Sequence, residues 1–125
     1  MIQRIMVPGL KDWGAHCCHV VRAGAHVWVS GIVGITDDGH VPPDTTAQFD
    51  LAIDILDRCL KAAGAGPEHV TKVQVYLTDV RERPAIGPRR IAYFGANPPA
   101  STLVEVSSLV DPRFKVEIDC EAFVD

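Results

Sequence analysis

Carboxylates recur at every second position near the end of the chain, at Glu117, Asp119 and Glu121. The residues between them are apolar, so the segment alternates with a period of two, which is typical of a strand with one apolar and one charged face. A partly buried carboxylate whose pKa is raised can act as a general base and then as a general acid. Glu117, in the middle of this strand, is the first candidate for that chemistry. The alternative is a structural glutamate paired with Lys115 or with an arginine.

A run of four possible metal ligands, His16-Cys17-Cys18-His19, lies near the start of the chain. A strand predicted over residues 16–22 would place Cys17 and His19 on one face and the other two on the opposite face, so one tetrahedral metal could not bind all four. We therefore predict no metal site and favour a pocket wall or a subunit contact. Two alternatives are a Cys17/His19 metal pair completed from elsewhere, and a Cys17 nucleophile whose pKa is lowered by His19.

The rest of the chain alternates between strand and helix patterns that position these side chains. A helical stripe of apolar residues runs from Thr45, where Thr45 and Gln48 have capping-box spacing, to a stop at Gly64. A second helix is predicted from about Pro84 to a stop at Gly95. Its predicted core residues are Ile91, Tyr93 and Phe94. Strands are predicted at 16–22, 26–32, 70–78, 101–107 and 115–122, with a further short strand at 2–6.

This order of elements predicts an α+β fold in which both helices pack on one face of a mixed β-sheet. The length of 125 residues fits a single domain, residues 1–125. The opposite face of the sheet is expected to carry a group of charged side chains. These are Glu105, Lys115, Glu117, Asp119 and Glu121.

Composition excludes several classes of function. The chain is 47% hydrophobic and 22% charged, with a net charge of −4, so a broad basic surface for nucleic acid is not expected. The arginines between residues 81 and 90 are interpreted as a solvated helix start. No apolar run of about 18 residues predicts a membrane span, and the N-terminus lacks the apolar core of a signal peptide. We therefore expect a cytoplasmic protein without disulfide bonds.

Five short motifs, taken together in their order and spacing, resemble the Rid family (reactive intermediate deaminases, also called the YjgF family or L-PSP endoribonucleases). They are Val27-Trp-Val-Ser-Gly31, Ala62-Ala-Gly-Ala65, Val73-Gln-Val-Tyr-Leu-Thr-Asp79, Pro99-Ala-Ser-Thr-Leu-Val-Glu-Val106 and Lys115-Val-Glu-Ile-Asp119. The resemblance covers residues 14 to 124. It implies a chorismate-mutase-like fold, a homotrimer with sites between subunits, and hydrolytic deamination of a small enamine or imine without a cofactor.

The resemblance also implies roles for individual residues. Glu117 matches the family glutamate that positions or deprotonates the attacking water, and Ser30 and Gly31 match a Ser-Gly pair at a strand end where substrate binds. Without the resemblance, Ser30 and Gly31 would be interpreted as a strand end that needs small residues. The remaining predicted substrate-binding residues are Cys17, which aligns with a pocket tyrosine, Ser101 and Leu103.

Ser101 is the main departure from the family, because active imine deaminases carry an arginine at this position that holds a substrate carboxylate. Three interpretations follow. The ligand lacks the carboxylate, another cation such as Arg89 or Arg90 reaches the site, or catalysis is lost. In this respect the chain is similar to Rid subgroups that lack the arginine. The alternative function is a non-catalytic module that binds a small metabolite on the same trimeric scaffold.

Overall fold

The backbone follows the predicted order of strands and helices in a computed structural model that describes residues 1–125. Two single turns of 3-10 helix, Pro67–His69 and Val80–Glu82, connect some of the elements. The strands and helices in chain order are β1 (Ile2–Ile5), β2 (Val20–Ala23), β3 (His26–Val33), α1 (Thr45–Ala62), β4 (Val70–Leu77), α2 (Arg83–Phe94), β5 (Ala100–Glu105) and β6 (Val116–Phe123).

All the strands join one six-stranded sheet in the order β1-β2-β3-β6-β4-β5. Only β4 and β5 pair in parallel, and α2 provides the crossover that a parallel pair requires. The last strand, β6, inserts between β3 and β4 and is antiparallel to both. The mixed sheet predicted from the sequence is confirmed. The two closing strands do not pair with each other, because β4 lies between them.

Both helices contribute to one apolar core against the same face of the sheet, which we call the helix face. The buried stripe of α1 includes Phe49, Ile53, Leu56 and Leu60, as its periodicity predicts. The strands contribute every second residue to this core, such as Val75 on β4 and its partner Ile118 on β6. The opposite side, the open face, carries the polar residues of the same strands. Neither helix is long and apolar enough to cross a membrane.

The start of α1 differs from the predicted capping box. Asp44, not Thr45, is the N-cap, and its carboxylate accepts a hydrogen bond from the Ala47 amide at 2.8 Å. Gln48 is fully buried instead of returning to the cap. Its amide donates to the carbonyls of Pro42 and Arg113, each at 2.9 Å, and its Oε1 accepts from the Lys115 amide at 2.9 Å. Gln48 therefore ties the helix to the segment that leads into β6.

The core register of α2 also differs from the prediction. Ile91, predicted to be buried, is 75% exposed, whereas Ile86 and Phe94 are buried. Ile86 and Phe94 are eight residues apart and lie on one stripe, so the position between them that faces the core is Arg90. Tyr93 is half-buried, and its hydroxyl donates to Asp57 at 2.9 Å. The stops predicted at Gly64 and Gly95 are observed, each with positive φ.

Glu105 lies on the helix face, which corrects its predicted place among the charges of the open face. It pairs in register with Leu77, a core residue, and β-strand neighbours at the same register position point to the same side. Its carboxylate accepts a hydrogen bond from the Val80 amide at 3.0 Å. Glu117, Asp119 and Glu121 remain together on the open face, because the residues that alternate with them on β6 are buried under the helices.

We expect Gln48→Leu to destabilise the fold by about 3 kcal/mol, because it leaves two part-buried carbonyls and one part-buried amide without their side-chain partner. Denaturant-induced unfolding would measure the loss. Thr46→Ala, at an exposed position in the first turn of α1, is the control and should change stability by less than about 0.5 kcal/mol. Similar stabilities for the two variants would show that the Gln48 hydrogen bonds do not hold this junction.

Candidate functional site

Four of the predicted site residues line one pocket of about 320 Å³: Cys17, Ser30, Gly31 and Glu117. We call it the Glu117 pocket. It lies between the segment before β2, the end of β3 and the start of β6, and Trp13 also lines it. Lys11 lies over the Trp13 ring, with Nζ 5.0 Å from the ring centroid, and the ring edge contacts Phe114.

A β-bulge in β3 shapes the floor of this pocket. Val29 pairs with Cys120 and Ile32 with Ile118, so β3 has one residue more than β6 between these two pairs. The extra residue falls at Ser30–Gly31, and bulges of this kind change the direction of the neighbouring side chains. A Cβ atom at Gly31 would overlap the Glu117 carboxylate oxygen and would lie 3.0 Å from its Cδ. Glycine therefore allows the Glu117 side chain to lie across the β3 backbone.

Ser30 holds one wall of the pocket in place. Its hydroxyl donates to the Cys18 carbonyl at 2.6 Å, and its amide donates to the His19 carbonyl at 3.0 Å. These two bonds fasten the segment that carries Cys17 to the bulge. Because the hydroxyl proton is already donated, Ser30 is available to a ligand only through the lone pairs of its oxygen.

Glu117 is half-buried and forms no hydrogen bond or ion pair through its side chain within the chain. Burial raises the pKa of its carboxyl, and the nearby Asp119 raises it further. The structural pairing with Lys115 or an arginine, considered as an alternative, is not present. An unpaired carboxyl with a raised pKa at the wall of a pocket can accept a proton and later return it.

Tyr76 and Asp119 form a polar pair beside Glu117 that the sequence analysis did not identify. The Tyr76 hydroxyl lies 3.0 Å from both the Asp119 carboxylate and Oε1 of Gln74. Burial raises the pKa of Asp119, although its hydrogen bond from Tyr76 acts in the opposite direction. The available signal was the alternation of β4, which places Tyr76 on its polar face. Its position directly opposite Glu117 follows from the pairing of β4 with β6. This pair holds a second carboxylate close to Glu117.

The His16–His19 run does not form a strand, which corrects the predicted alternation. Strand β2 begins at Val20, Cys17 is exposed and His19 is buried, so these two side chains do not share a face. Nδ1 of His19 accepts from the Val7 amide at 2.8 Å, and Nε2 lies 2.8 Å from the Lys11 carbonyl. Both ring nitrogens are thus committed to the backbone. His19 cannot activate Cys17, and no group of three or more possible ligands is arranged to hold a metal.

Ser101 and Leu103 lie away from the Glu117 pocket within one chain. They pair in register with Val73 and Val75, so both are on the helix face, whereas Glu117 is on the open face. Leu103 packs against the core. Ser101 lines a second cavity, of about 490 Å³, between α2 and the start of β5, which we call the Arg90 cavity. There Nη2 of Arg90 donates to the Ser101 hydroxyl at 2.6 Å.

Known proteins with similar sequences identify the family of this chain. The family described as endoribonuclease L-PSP matches residues 14–124. The chain belongs to this family, the Rid (YjgF) family. The *Drosophila melanogaster* relative named RutC family protein UK114 is 34% identical over 104 residues, which are 82% of this chain and 75% of that protein. The Acinetobacter baylyi relative named 3-aminoacrylate deaminase RutC is 31% identical over 105 residues, which are 82% of each chain.

A solved Rid structure has the same fold. Rv2704 from *Mycobacterium tuberculosis*, a member of the YjgF/YER057c/UK114 family, superposes with a TM-score of 0.82 at 27% identity, over 93% of this chain and 98% of that one. The predicted fold class is therefore confirmed.

We expect Glu117→Gln to make the protein more stable at neutral pH. Because the folded-state pKa of Glu117 is raised, the native state binds more protons than the unfolded chain above the ordinary glutamate pKa of about 4.3, and stability falls as pH rises through the folded pKa. Glutamine removes this loss. The free energy of unfolding of the variant should therefore exceed that of wild type at about pH 7–8 and approach it at about pH 4.

Denaturation midpoints measured across this pH range provide the test. The control is Asp37→Asn, which removes an exposed carboxylate in the loop before α1. A difference between Glu117→Gln and wild type that does not change with pH would contradict the raised pKa of Glu117.

Proposed function

We propose that this protein hydrolyses a small imine or enamine and releases ammonia and a carbonyl compound, with Glu117 as the general acid and base. The observation that carries the proposal is the unpaired, half-buried Glu117 carboxyl above Gly31 at the wall of a pocket. Its raised pKa suits a group that must gain and lose a proton in one cycle.

The residues of the pocket account for each proton in such a reaction. The reaction starts from the imine with its nitrogen protonated. The Glu117 carboxylate takes a proton from water as the water oxygen bonds to the C=N carbon, giving a neutral aminoalcohol. The protonated carboxyl gives that proton to the nitrogen, the C–N bond breaks, and ammonia leaves. The hydroxyl proton passes to the Glu117 carboxylate as the carbonyl forms, and from there to the departing ammonia. Nothing in these steps requires a metal or an organic cofactor. Cys17, Ser30 and Gly31 would form the walls that hold the substrate against Glu117.

Relatives support the reaction class. The Acinetobacter relative is named for deamination of 3-aminoacrylate, a small enamine, and the aligned region, which is 31% identical, covers 82% of each chain. We propose a substrate of the same general size, which the Glu117 pocket of about 320 Å³ would admit. The net charge of −4 favours a small metabolite over RNA as the substrate.

We further propose that the protein assembles as a homotrimer in which β5 of one subunit completes the Glu117 pocket of the next. Within one chain, Ser101 and Glu117 lie on opposite faces of the sheet, so one chain cannot present both to a small molecule. The edge strand β5 leaves backbone groups unpaired, and Trp28, Val104 and Phe123 are each more than 40% exposed. The homotrimer implied by the Rid resemblance would cover these groups.

The compartment we propose is the cytoplasm or another reducing one. All four cysteines are free thiols, including the exposed Cys17.

A non-catalytic binding module on the same scaffold is the second candidate. The observation in its favour is Ser101, which stands where active imine deaminases of the family carry an arginine. A serine hydroxyl cannot supply the charge or the paired hydrogen bonds of a guanidinium.

An imine-scavenging assay distinguishes these two candidates. An amino-acid oxidase generates imines from a panel of amino acids, and semicarbazide traps what the protein does not hydrolyse. Wild type should reduce trapping, and Glu117→Gln should lose at least about 100-fold of that acceleration because it removes the acid–base group. Cys17→Ser is the matched control from the same pocket and should stay within a few-fold of wild type. No acceleration by wild type on any imine would favour the binding module.

Sedimentation equilibrium should give a mass three times that of the 13.6 kDa chain. Val104→Glu places a charge on the exposed side of β5 and should shift the mass toward that of a single chain, because a buried unpaired carboxylate is costly at an interface. Thr46→Glu, on the exposed side of α1, should leave the trimer intact. A wild-type protein that sediments as one chain would exclude the shared site.

A further inference from the structure

Arg90 is an unusual residue on the core-facing stripe of α2. It lies between Ile86 and Phe94 at the four-residue spacing that places all three on one side of the helix, and it is half-buried. Three arginines of the chain pair with carboxylates: Arg81 with Asp79, Arg89 with Asp50 and Asp54, and Arg113 with Asp111. Two others, Arg22 and Arg58, donate to backbone carbonyls. Arg90 has no carboxylate partner.

The surroundings of Arg90 hold a second unpaired cation and no acid. Arg83, two helical turns earlier on α2, lines the same cavity and forms no ion pair, and no aspartate or glutamate lines the cavity. The remaining walls are apolar or small, including Phe94, Pro98 and Pro99. Burial lowers the pKa of Arg90, and the neighbouring charge of Arg83 lowers it further. Two cations facing an apolar cavity are stabilised when an anion enters it.

Ser101 holds the Arg90 guanidinium in a defined direction. Its hydroxyl accepts one hydrogen bond from Nη2 at 2.6 Å, and no other protein group accepts from the Arg90 side chain. Arginine has five N–H donors in a planar fork that matches a carboxylate. Most of that fork is therefore free. A small residue at position 101 also leaves the space into which Arg90 extends from the helix.

We propose that Arg90 binds the carboxylate of the substrate in the Arg90 cavity, with Ser101 as its positioning residue and Arg83 as a second positive charge. The ligand class is a small carboxylic acid with an apolar side chain, such as a 2-imino acid or its 2-oxo acid product. This inference rests on the proposed function only for the reaction that the bound ligand undergoes. Binding of the carboxylate depends on the Arg90 cavity alone.

Calorimetric titration with 4-methyl-2-oxopentanoate tests the binding step without turnover. Its matched probe is 4-methylpentan-2-one, which has the same apolar part and no carboxylate. Wild type should bind the acid more tightly than the ketone. Arg90→Gln should weaken binding of the acid by about 10- to 100-fold, the effect of losing a hydrogen-bonded charge, and should leave the ketone unchanged. Arg90→Lys keeps the charge but not the fork and should fall between the two.

The control is Arg89→Gln on the same helix, whose side chain faces Asp50 and Asp54 and should not affect either probe. Thermal unfolding of each variant checks that the fold is retained, and Arg90→Lys provides the comparison if Arg90→Gln unfolds. Equal affinity of wild type and both Arg90 variants for the acid would overturn the inference, as would a wild type that binds neither probe.

Turnover provides a second readout that separates this inference from the proposed function. With imines from leucine, Arg90→Gln should raise KM by about 10-fold or more and change kcat little, because a ground-state contact is lost. With the imine from 3-methylbutylamine, which lacks the carboxylate, it should match wild type. Wild type that binds the acid through Arg90 but hydrolyses no imine would refute the proposed function and support this inference. Hydrolysis of the leucine imine by wild type and Arg90→Gln with the same KM would support the proposed function and refute this inference.

Discussion

The contact between Glu117 and Gly31 is the constraint on which the candidate chemistry depends. A half-buried carboxyl without a partner costs folding free energy, and a protein retains such a group only where the surrounding structure holds it. Here the holding structure is the bulge in β3, which places a residue without a Cβ under the Glu117 side chain. Any larger residue would push the carboxylate off the strand. The same bulge places Ser30 where it fastens the Cys17 segment, so one irregularity forms both the floor and one wall of the pocket.

The position of β6 between β3 and β4 explains why the site is divided. This arrangement places Glu117 centrally in the sheet, where neighbouring strands on both sides partly bury it and raise its pKa. It also moves β5 to the edge, with Ser101 on the opposite face. A rigid sheet cannot bring these two surfaces together by a local movement. A second copy of the chain could bring β5 to the Glu117 pocket. It would also cover the edge of β5 and the exposed apolar side chains near it.

Local patterns in the sequence predicted most of the elements, but not their partners. The period-two alternation identified β6 and its polar face, and the apolar stripe of α1 identified its buried side, since both depend on neighbours in sequence. The insertion of β6 depends on contacts more than 80 residues apart along the chain, between β3 and β6, and no local pattern encodes it. The His16–His19 run failed as a strand because His19 meets two backbone groups, at Val7 and Lys11, that periodicity does not reveal. Ile91 was misassigned because hydrophobicity alone suggested burial, whereas the register of α2 is set by Ile86 and Phe94.

The same helix register changes the interpretation of Ser101. Considered alone, serine at the position where the family resemblance implies a carboxylate-binding arginine suggests that the binding function has been lost. In the structure, the stripe that buries Ile86 and Phe94 points Arg90 toward Ser101, and the serine accepts its hydrogen bond. An arginine on α2 approaches a bound carboxylate from a different direction than an arginine on β5. The apolar residues of α2 line the same cavity beside it. Retaining arginine at both positions would put two further charges beside Arg83 in one cavity, which mutual repulsion disfavours. Serine at position 101 and arginine at position 90 are therefore best understood as one arrangement, in which the small residue makes room for the cation and directs it.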